Sequence, residues 1–331
     1  MRYRRKLQVV GGSTYTVSLP KEWVKSVGLS NGSEIVLEVM PDLTIRVAPS
    51  EESLKESSMQ NEIEISLESM DISFIELIAS YVVGYDIILV KCRDCRSEVL
   101  EEFMKLVIDR TIGLEVIEKN KDSVVFQCLA NVSTLPLTEV LKTIIKLTIK
   151  SFEETERLLE SGESSLAKEI LERDNLIDKL YLYSLRQLNQ VLLGRINYSL
   201  IGLKSIADAM YVAMMLKFLE RIADHVAELA KDITTHNNPK NLIKLSTHLR
   251  ALREKYVQLS NLVITKQTQK DLSWLNSLIK DLKNIELNIV ETSTRPGFEE
   301  SNHLVRISAY LRDLIEMLVD LHMLSKIISS D

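Results

Sequence analysis

The sequence predicts a multidomain α+β chain that is mainly α, and three observations predict it. Apolar residues alternate with period two near the start, as in half-buried strands. From Leu137 onward the apolar period becomes 3.6 and stays there, as in long helices. Charge is also divided: residues 1–50 carry +3 and the remainder −9, out of a net −6. These features predict a basic β-rich head at 1–50, a linker at 51–61 and a small α/β domain at 62–132. Two three-helix repeats follow, at 136–236 and 237–331. At 331 residues, 45% hydrophobic and 27% charged, the chain has the composition of a globular protein with ample core.

In the head, Leu7, Val9, Tyr15, Val17 and Leu19 alternate with polar neighbours and are interrupted by the bend-permitting Gly11-Gly12. Pro20 starts a short helix, Lys21 to Val27, where its missing N–H is harmless, and Gly28 can end it. Asn31-Gly32 reads as a turn before a hairpin, Glu34–Met40 and Leu43–Val47, joined at Pro41-Asp42. Fifty residues with so few strands cannot close a good core alone, which predicts a homodimer, with Tyr15 and Trp23 in core or dimer packing. Arg4, Arg5, Lys6, Lys21 and Lys25 gather around the bend and the short helix, as phosphate contacts would. Thr14, Thr16 and Ser18 lie among them and can reach sugar, phosphate or base edges. The other reading of this charge is a solvated face.

The stretch 49–61, PSEESLKESSMQN, which contains the linker, is polar and Ser/Glu-rich. A strand at 62–68, a helix near Ile72–Val83, a strand at Tyr85–Lys91, a helix over about Arg96–Arg110 and strands at Leu114–Lys119 and Ser123–Leu129 follow. This order fits a two-layer domain with helices on one face. Gly84 and Gly113 read as helix stops. Cys92 and Cys95 form a lone C-x-x-C, a weak zinc signal; packing and a turn are the plainer reading, and three cysteines argue against a disulfide framework.

Helices are predicted at 138–161, 164–194, 198–234, 241–264, 268–291 and 300–329, with breaks at Ser161-Gly162, Gly194, Asn237-Asn238-Pro239 and Arg295-Pro296-Gly297. Six helices in two sets of three suggest an internal repeat. Asp174 and Asp178 stand four apart on one helix. Glu220 and Asp224 stand four apart on the next, and the ladder continues to Glu228 and Asp232. Four-residue spacing stacks carboxylates on one face, at a cost of about 1 kcal/mol over three steps. Two offsets remain open: salt bridges to Lys217 and Arg221, or a bound cation. An oxygen-only set suits hard cations such as Mg²⁺, with Fe or Mn if His225 joins. Measured from a turn near 194–198, Asp178 and Glu220 differ in level by roughly 9 Å, which allows one shared site or two. His225 otherwise reads as a surface or interface residue, and His236, His248, His303 and His322 show no ligand spacing.

No Ser/His/Asp or Cys/His constellation is present, so the chain is not expected to be an enzyme. No apolar run is long enough to span a bilayer. MRYRRKL lacks the apolar region of a signal peptide, so a cytoplasmic location without membrane insertion is expected.

Two resemblances join these readings. STYTVSLPKEWVKSVGLSNGSEIVLEV resembles the AbrB/SpoVT swapped-hairpin DNA-binding family, through Val17–Leu19, Pro20-Lys21, Gly28-Leu29, Gly32 and Ile35–Val39. Ser33 stands where that family often has Asp. This resemblance implies a β-barrel head formed by two intertwined chains that bind DNA. LERIADHV, Leu219 to Val226, with Asp174 and Asp178 before it, resembles the PhoU family of phosphate-uptake regulators, whose unit is a three-helix bundle repeated twice. It implies a metal ion (Fe, Mn, Mg or Zn) at Asp174, Asp178, Glu220 and Asp224. The second repeat departs from the pattern, since YLRDLIEMLVDLH lacks Glu-Arg-x-x-Asp. Together the resemblances imply a transcriptional regulator linked to phosphate uptake, with DNA, a second copy of itself and a phosphate-transporter ATPase subunit as partners. The competing class is an accessory protein that controls a phosphate or ion transporter by contact, its head serving mainly to dimerise.

Overall fold

A computed structural model describes residues 3–39, 45–50, 61–93, 96–132, 135–235, 244–265, 272–292 and 300–328. The expected turn at Pro41-Asp42, the linker body, Cys95 and the breaks at Asn237-Asn238-Pro239 and Arg295-Pro296-Gly297 lie outside these residues. The chain is mainly α, with small sheets near its start and middle. It divides into two compact units, Met1–Gln60 and Asn61–Asp331.

The first unit is two short hairpins around one helix. Strands β1 (Gln8–Val10) and β2 (Thr14–Thr16) pair antiparallel, with Gln8 opposite Thr16. Gly11 and Gly12 turn between them at φ 64° and 84°, a region side chains disfavour. Helix α1 (Lys21–Ser26) starts after Pro20, and Gly28 follows at φ 70°. Strands β3 (Ile35–Val39) and β4 (Ile45–Pro49) pair antiparallel. No described residue of this unit is buried. Along β3, Val36 is 52% exposed and Leu37 62%, so both faces of the strand meet solvent. Tyr15 is exposed within one chain, and Trp23 is half-buried.

The second unit begins with a sheet of order β5-β6-β8-β7, made of Glu62–Ser66, Ile87–Lys91, Ser123–Cys128 and Leu114–Lys119. Strands β5 and β6 are parallel and connected through helix α2 (Met70–Val83); the other pairings are antiparallel. Ser69 caps α2 by accepting from the Ile72 amide, and Gly84 ends it at φ 105°. Helix α3 (Ser97–Ile108) packs on the same unit, with Phe103 fully buried beside Tyr81 and Phe126 in the shared core. Gly113 is not the helix stop expected of it, because α3 already ends at Asp109. It starts β7 at φ 72°, where an added Cβ would stand 2.4 Å from that of Ala130. Cys92 is buried, its Sγ 3.8 Å from the Leu67 carbonyl.

Helices α4 (Leu137–Ser161), α5 (Ser165–Leu192), α6 (Asp208–Thr235), α7 (Leu245–Thr265), α8 (Leu272–Thr292) and α9 (Glu300–Ile328) complete the unit. They form one body: α6 packs against α9, and α4 against α7 through Phe152 and Tyr256, whose ring centroids are 5.6 Å apart. The third helix starts ten residues later than the expected 198. A 3₁₀ turn at Tyr198–Ile201 and Gly202 at φ 81° intervene. The Asp208 carboxylate then accepts from the amides of Lys204 and Ser205 at 2.9 and 3.4 Å and from the Ser205 hydroxyl at 2.8 Å.

The α/β layer is fastened to α5 at the C-terminal end of α2. The Arg186 guanidinium, its side chain 4% exposed, donates to the carbonyls of Tyr81 and Tyr85 at 2.8 and 2.7 Å and to Asp86 at 2.7 Å. Asn189 donates to the Val82 carbonyl at 2.9 Å, and Arg195 to Gly84 at 2.8 Å. A helix's last carbonyls lack intrahelical donors and carry partial negative charge, so a cation is well placed there. Arg186→Met takes the guanidinium from those carbonyls and from Asp86, leaving Tyr81 with the Gly84 amide and Asp86 with the Asn61 amide. It should cost about 1–3 kcal/mol in urea unfolding, the range for buried acceptors that lose a donor. A loss below about 1 kcal/mol would mean that apolar contacts alone hold the layer.

Candidate functional site

Helices α5 and α6 bring three of the four predicted carboxylates, Asp178, Glu220 and Asp224, together. With α5 ending at Leu192 and α6 starting at Asp208, Asp178 lies 14 residues before one end and Glu220 12 after the other. Two residues of helix are about 3 Å, so the later start of α6 removes most of the expected offset. Oxygen atoms of Asp178, Glu220 and Asp224 lie within 4.8 Å of one another. Asp174 stands one turn away on α5 and feels the charges of Asp178, Asp224, Glu220 and Glu228.

Three cations meet three of the four acids. Lys217 Nζ lies 2.9 Å from both oxygens of Glu220. Arg221 reaches Asp224 at 3.3 Å, so both pairings read from the sequence are formed. The third cation was not anticipated: Arg110, just beyond α3, reaches Asp178 at 3.1 Å. Asp174 is the remainder. Its Oδ1 is buried and finds no hydrogen-bond partner among the described residues. Burial, then the neighbouring carboxylates, push its carboxyl up from 3.8 to about 7. Burial, Glu220 and Asp178 raise Asp224 to about 7 as well. Asp178 is raised by burial and Glu220, and partly restored by Arg110. An all-oxygen set with one unmatched, buried carboxylate oxygen fits a proton or a hard cation.

His225 does not join this set. Its ring turns to α9, where its Nδ1 lies 3.1 Å from Nδ1 of His303, while His303 Nε2 lies 3.0 Å from Asp232. Glu228 completes a second group of possible ligands with the two histidines. Sequence spacing showed no partner for His303, because the pair is made across 78 residues by the packing of α6 on α9. The i, i+3 step from His225 to Glu228 was visible; its partner on α9 was not.

The predicted head residues are all exposed. Thr14 and Thr16 lie on β2 opposite Val10 and Gln8. Lys21 and Lys25 share one face of α1, four residues apart. Arg4, Arg5 and Lys6 precede β1, with Arg5 over the Tyr3 ring at 5.6 Å and Tyr3 donating to Glu22 at 2.7 Å. Tyr3 therefore brings the basic segment to α1.

A carboxyl raised on folding contributes stability that is full below its unfolded value and is lost as pH rises through its folded value. For Asp174 that window runs from about pH 4 to about pH 7. In chelator-treated protein, Asp174→Asn should melt higher than the unaltered chain near pH 8 and much like it near pH 4. Equal melting temperatures at both pH values would show that Asp174 ionises in the fold without penalty.

Comparison with known families matches two segments of the chain. The PhoU domain profile matches residues 141–233, which span α4, α5 and α6. The profile described as antidote-toxin recognition MazE, bacterial antitoxin, matches residues 8–55. A crystal structure of the phosphate transport system regulatory protein PhoU from Streptococcus pneumoniae is 18% identical. It covers 57% of this chain and 96% of its own, with a TM-score of 0.40. No curated protein matches the chain in sequence. Among the described residues no helix is long and apolar enough to cross a membrane. The chain thus carries a PhoU domain behind an N-terminal domain of the MazE/AbrB type.

Proposed function

We propose that the chain is a transcriptional regulator linked to phosphate uptake, with a DNA-binding dimeric head and a PhoU-type body that reports the cell's state to it. The observation that carries this reading is the joining of the two matched domains in one chain whose excess positive charge is confined to the head. The exposed basic residues suit phosphate contacts, and Thr14 and Thr16 lie close to them in sequence. The uncovered apolar faces of β3 support a head completed by a second chain, since a lone two-stranded hairpin is marginal in water. A phosphate-transporter subunit is the protein partner this reading calls for, and catalysis has no part in it.

The body would hold a divalent cation at Asp174, Asp178, Glu220 and Asp224. The unmatched buried oxygen of Asp174 and the all-oxygen donor set support that ion. Bound there, the ion would supply the positive charge that Arg110, Lys217 and Arg221 leave one short. Mn²⁺ or Mg²⁺ should raise the melting temperature of the full chain by mass action, and Glu220→Gln with Asp224→Asn should abolish the rise. An undiminished rise in the double variant would remove the ion from these residues.

The second reading, an accessory protein acting on a transporter by contact, needs the head only as a dimerisation element. Salt dependence separates the two. With about five or six phosphates neutralised per dimer, the log–log slope of DNA affinity against salt should be near −5. Arg5→Ala with Lys21→Ala should flatten it and weaken binding to all sequences alike. Binding to no fragment of its own genome would leave the transporter-contact reading standing.

A further inference from the structure

We infer that His225, Glu228 and His303 form a second metal site, for a borderline divalent ion such as Zn²⁺, bridging α6 of the first repeat to α9 of the second. This goes beyond the proposed function. Its ligands are separate residues, and its nitrogen-rich chemistry differs from that of the oxygen-only cluster around Asp224.

The distances carry the inference. Nδ1 of His225 and Nδ1 of His303 are 3.1 Å apart, and Glu228 Oε2 lies 3.4 Å from the first and 3.6 Å from the second. Three donors each 2.0–2.1 Å from one tetrahedral ion stand about 3.3–3.4 Å from each other. The three observed separations straddle that value. An ion just above the plane of the three atoms would therefore meet all of them at bonding distance without rearrangement, leaving a fourth position for water.

The surroundings fix the two histidines, while Glu228 is 59% exposed. Asp232 Oδ2 lies 3.0 Å from His303 Nε2, and a carboxylate there accepts Nε2–H and leaves the Nδ1 lone pair pointing at Glu228 and His225. A carboxylate behind a ligating imidazole is the usual second layer of such sites. Tyr310 of α9 stacks on the His225 ring, with centroids 5.7 Å apart and planes 15° from parallel, and holds its orientation. With Nδ1 facing Nδ1 at 3.1 Å, the pair must share either a proton or a metal ion. A proton shared by the pair, with Glu228 one turn along α6 as its counter-charge, is the other arrangement these distances allow, and metal titration separates the two. Two imidazoles with one carboxylate select Zn²⁺ and its neighbours over Mg²⁺.

Full-length protein freed of metal and titrated with Co²⁺ tests the site, since tetrahedral Co²⁺ gives intense visible bands. One equivalent per chain should develop them, and Zn²⁺ should bleach them. The bands should persist in Glu220→Gln with Asp224→Asn and vanish in His303→Gln and in His225→Gln, each checked for fold by circular dichroism. Asp232→Asn should weaken Co²⁺ about tenfold, as loss of a supporting carboxylate does. X-ray absorption of the Zn²⁺ form of the unaltered chain should show two imidazoles, whatever the variants do to folding. Absence of the bands, their survival in both histidine variants, or a shell of oxygens alone would overturn the site.

Discussion

The arrangement of the second unit depends on one buried guanidinium. Arg186 sits at the end of α2, on the carbonyls of Tyr81 in its last turn and Tyr85 just beyond it, and lies 5.3 Å from the Tyr81 ring centre. A lysine there could not serve two carbonyls and a carboxylate with one planar fork. Because that fork fixes the α/β layer against α5, the end of α3 comes to rest beside Asp178. The acidic cluster thus includes a cation, Arg110, from outside the helical repeats.

The cluster is best understood as a charge balance that does not close. Four carboxylates face three cations, and the deficit falls on Asp174, whose Oδ1 is buried and unsatisfied; its carboxyl is raised to about 7, as is that of Asp224. The salt-bridge and cation readings of this face therefore do not exclude each other. Lys217 and Arg221 offset Glu220 and Asp224, yet leave one acid for a proton or an ion.

Much of this was legible in the sequence because it is periodic or local. Spacing of four placed Asp174 with Asp178, and Glu220 with Asp224, on single faces, and period 3.6 gave the helices. The start of α6 was misplaced because Tyr198–Leu203 is apolar enough to continue the pattern; Gly202 and the side chain of Asp208 decide the break instead. Gly113 was misread because the contact that requires a glycine, Ala130, is on another segment. Arg110 and His303 could not be assigned because their partners are 68 and 78 residues distant, joined only by packing. The predicted head residues are exposed as expected, but exposure alone does not distinguish a solvated face from one that meets a polyanion.

The Arg110–Asp178 contact makes the α/β layer and the cluster reciprocal competitors. Arg110 and any cation drawn to the cluster seek the same carboxylate. By linkage, whatever factor the docked arginine takes from the cation's affinity, the bound cation takes from the hold of Arg110 on Asp178. The α/β layer then acts as a tethered rival ligand whose effective concentration is set by the seat of Arg186.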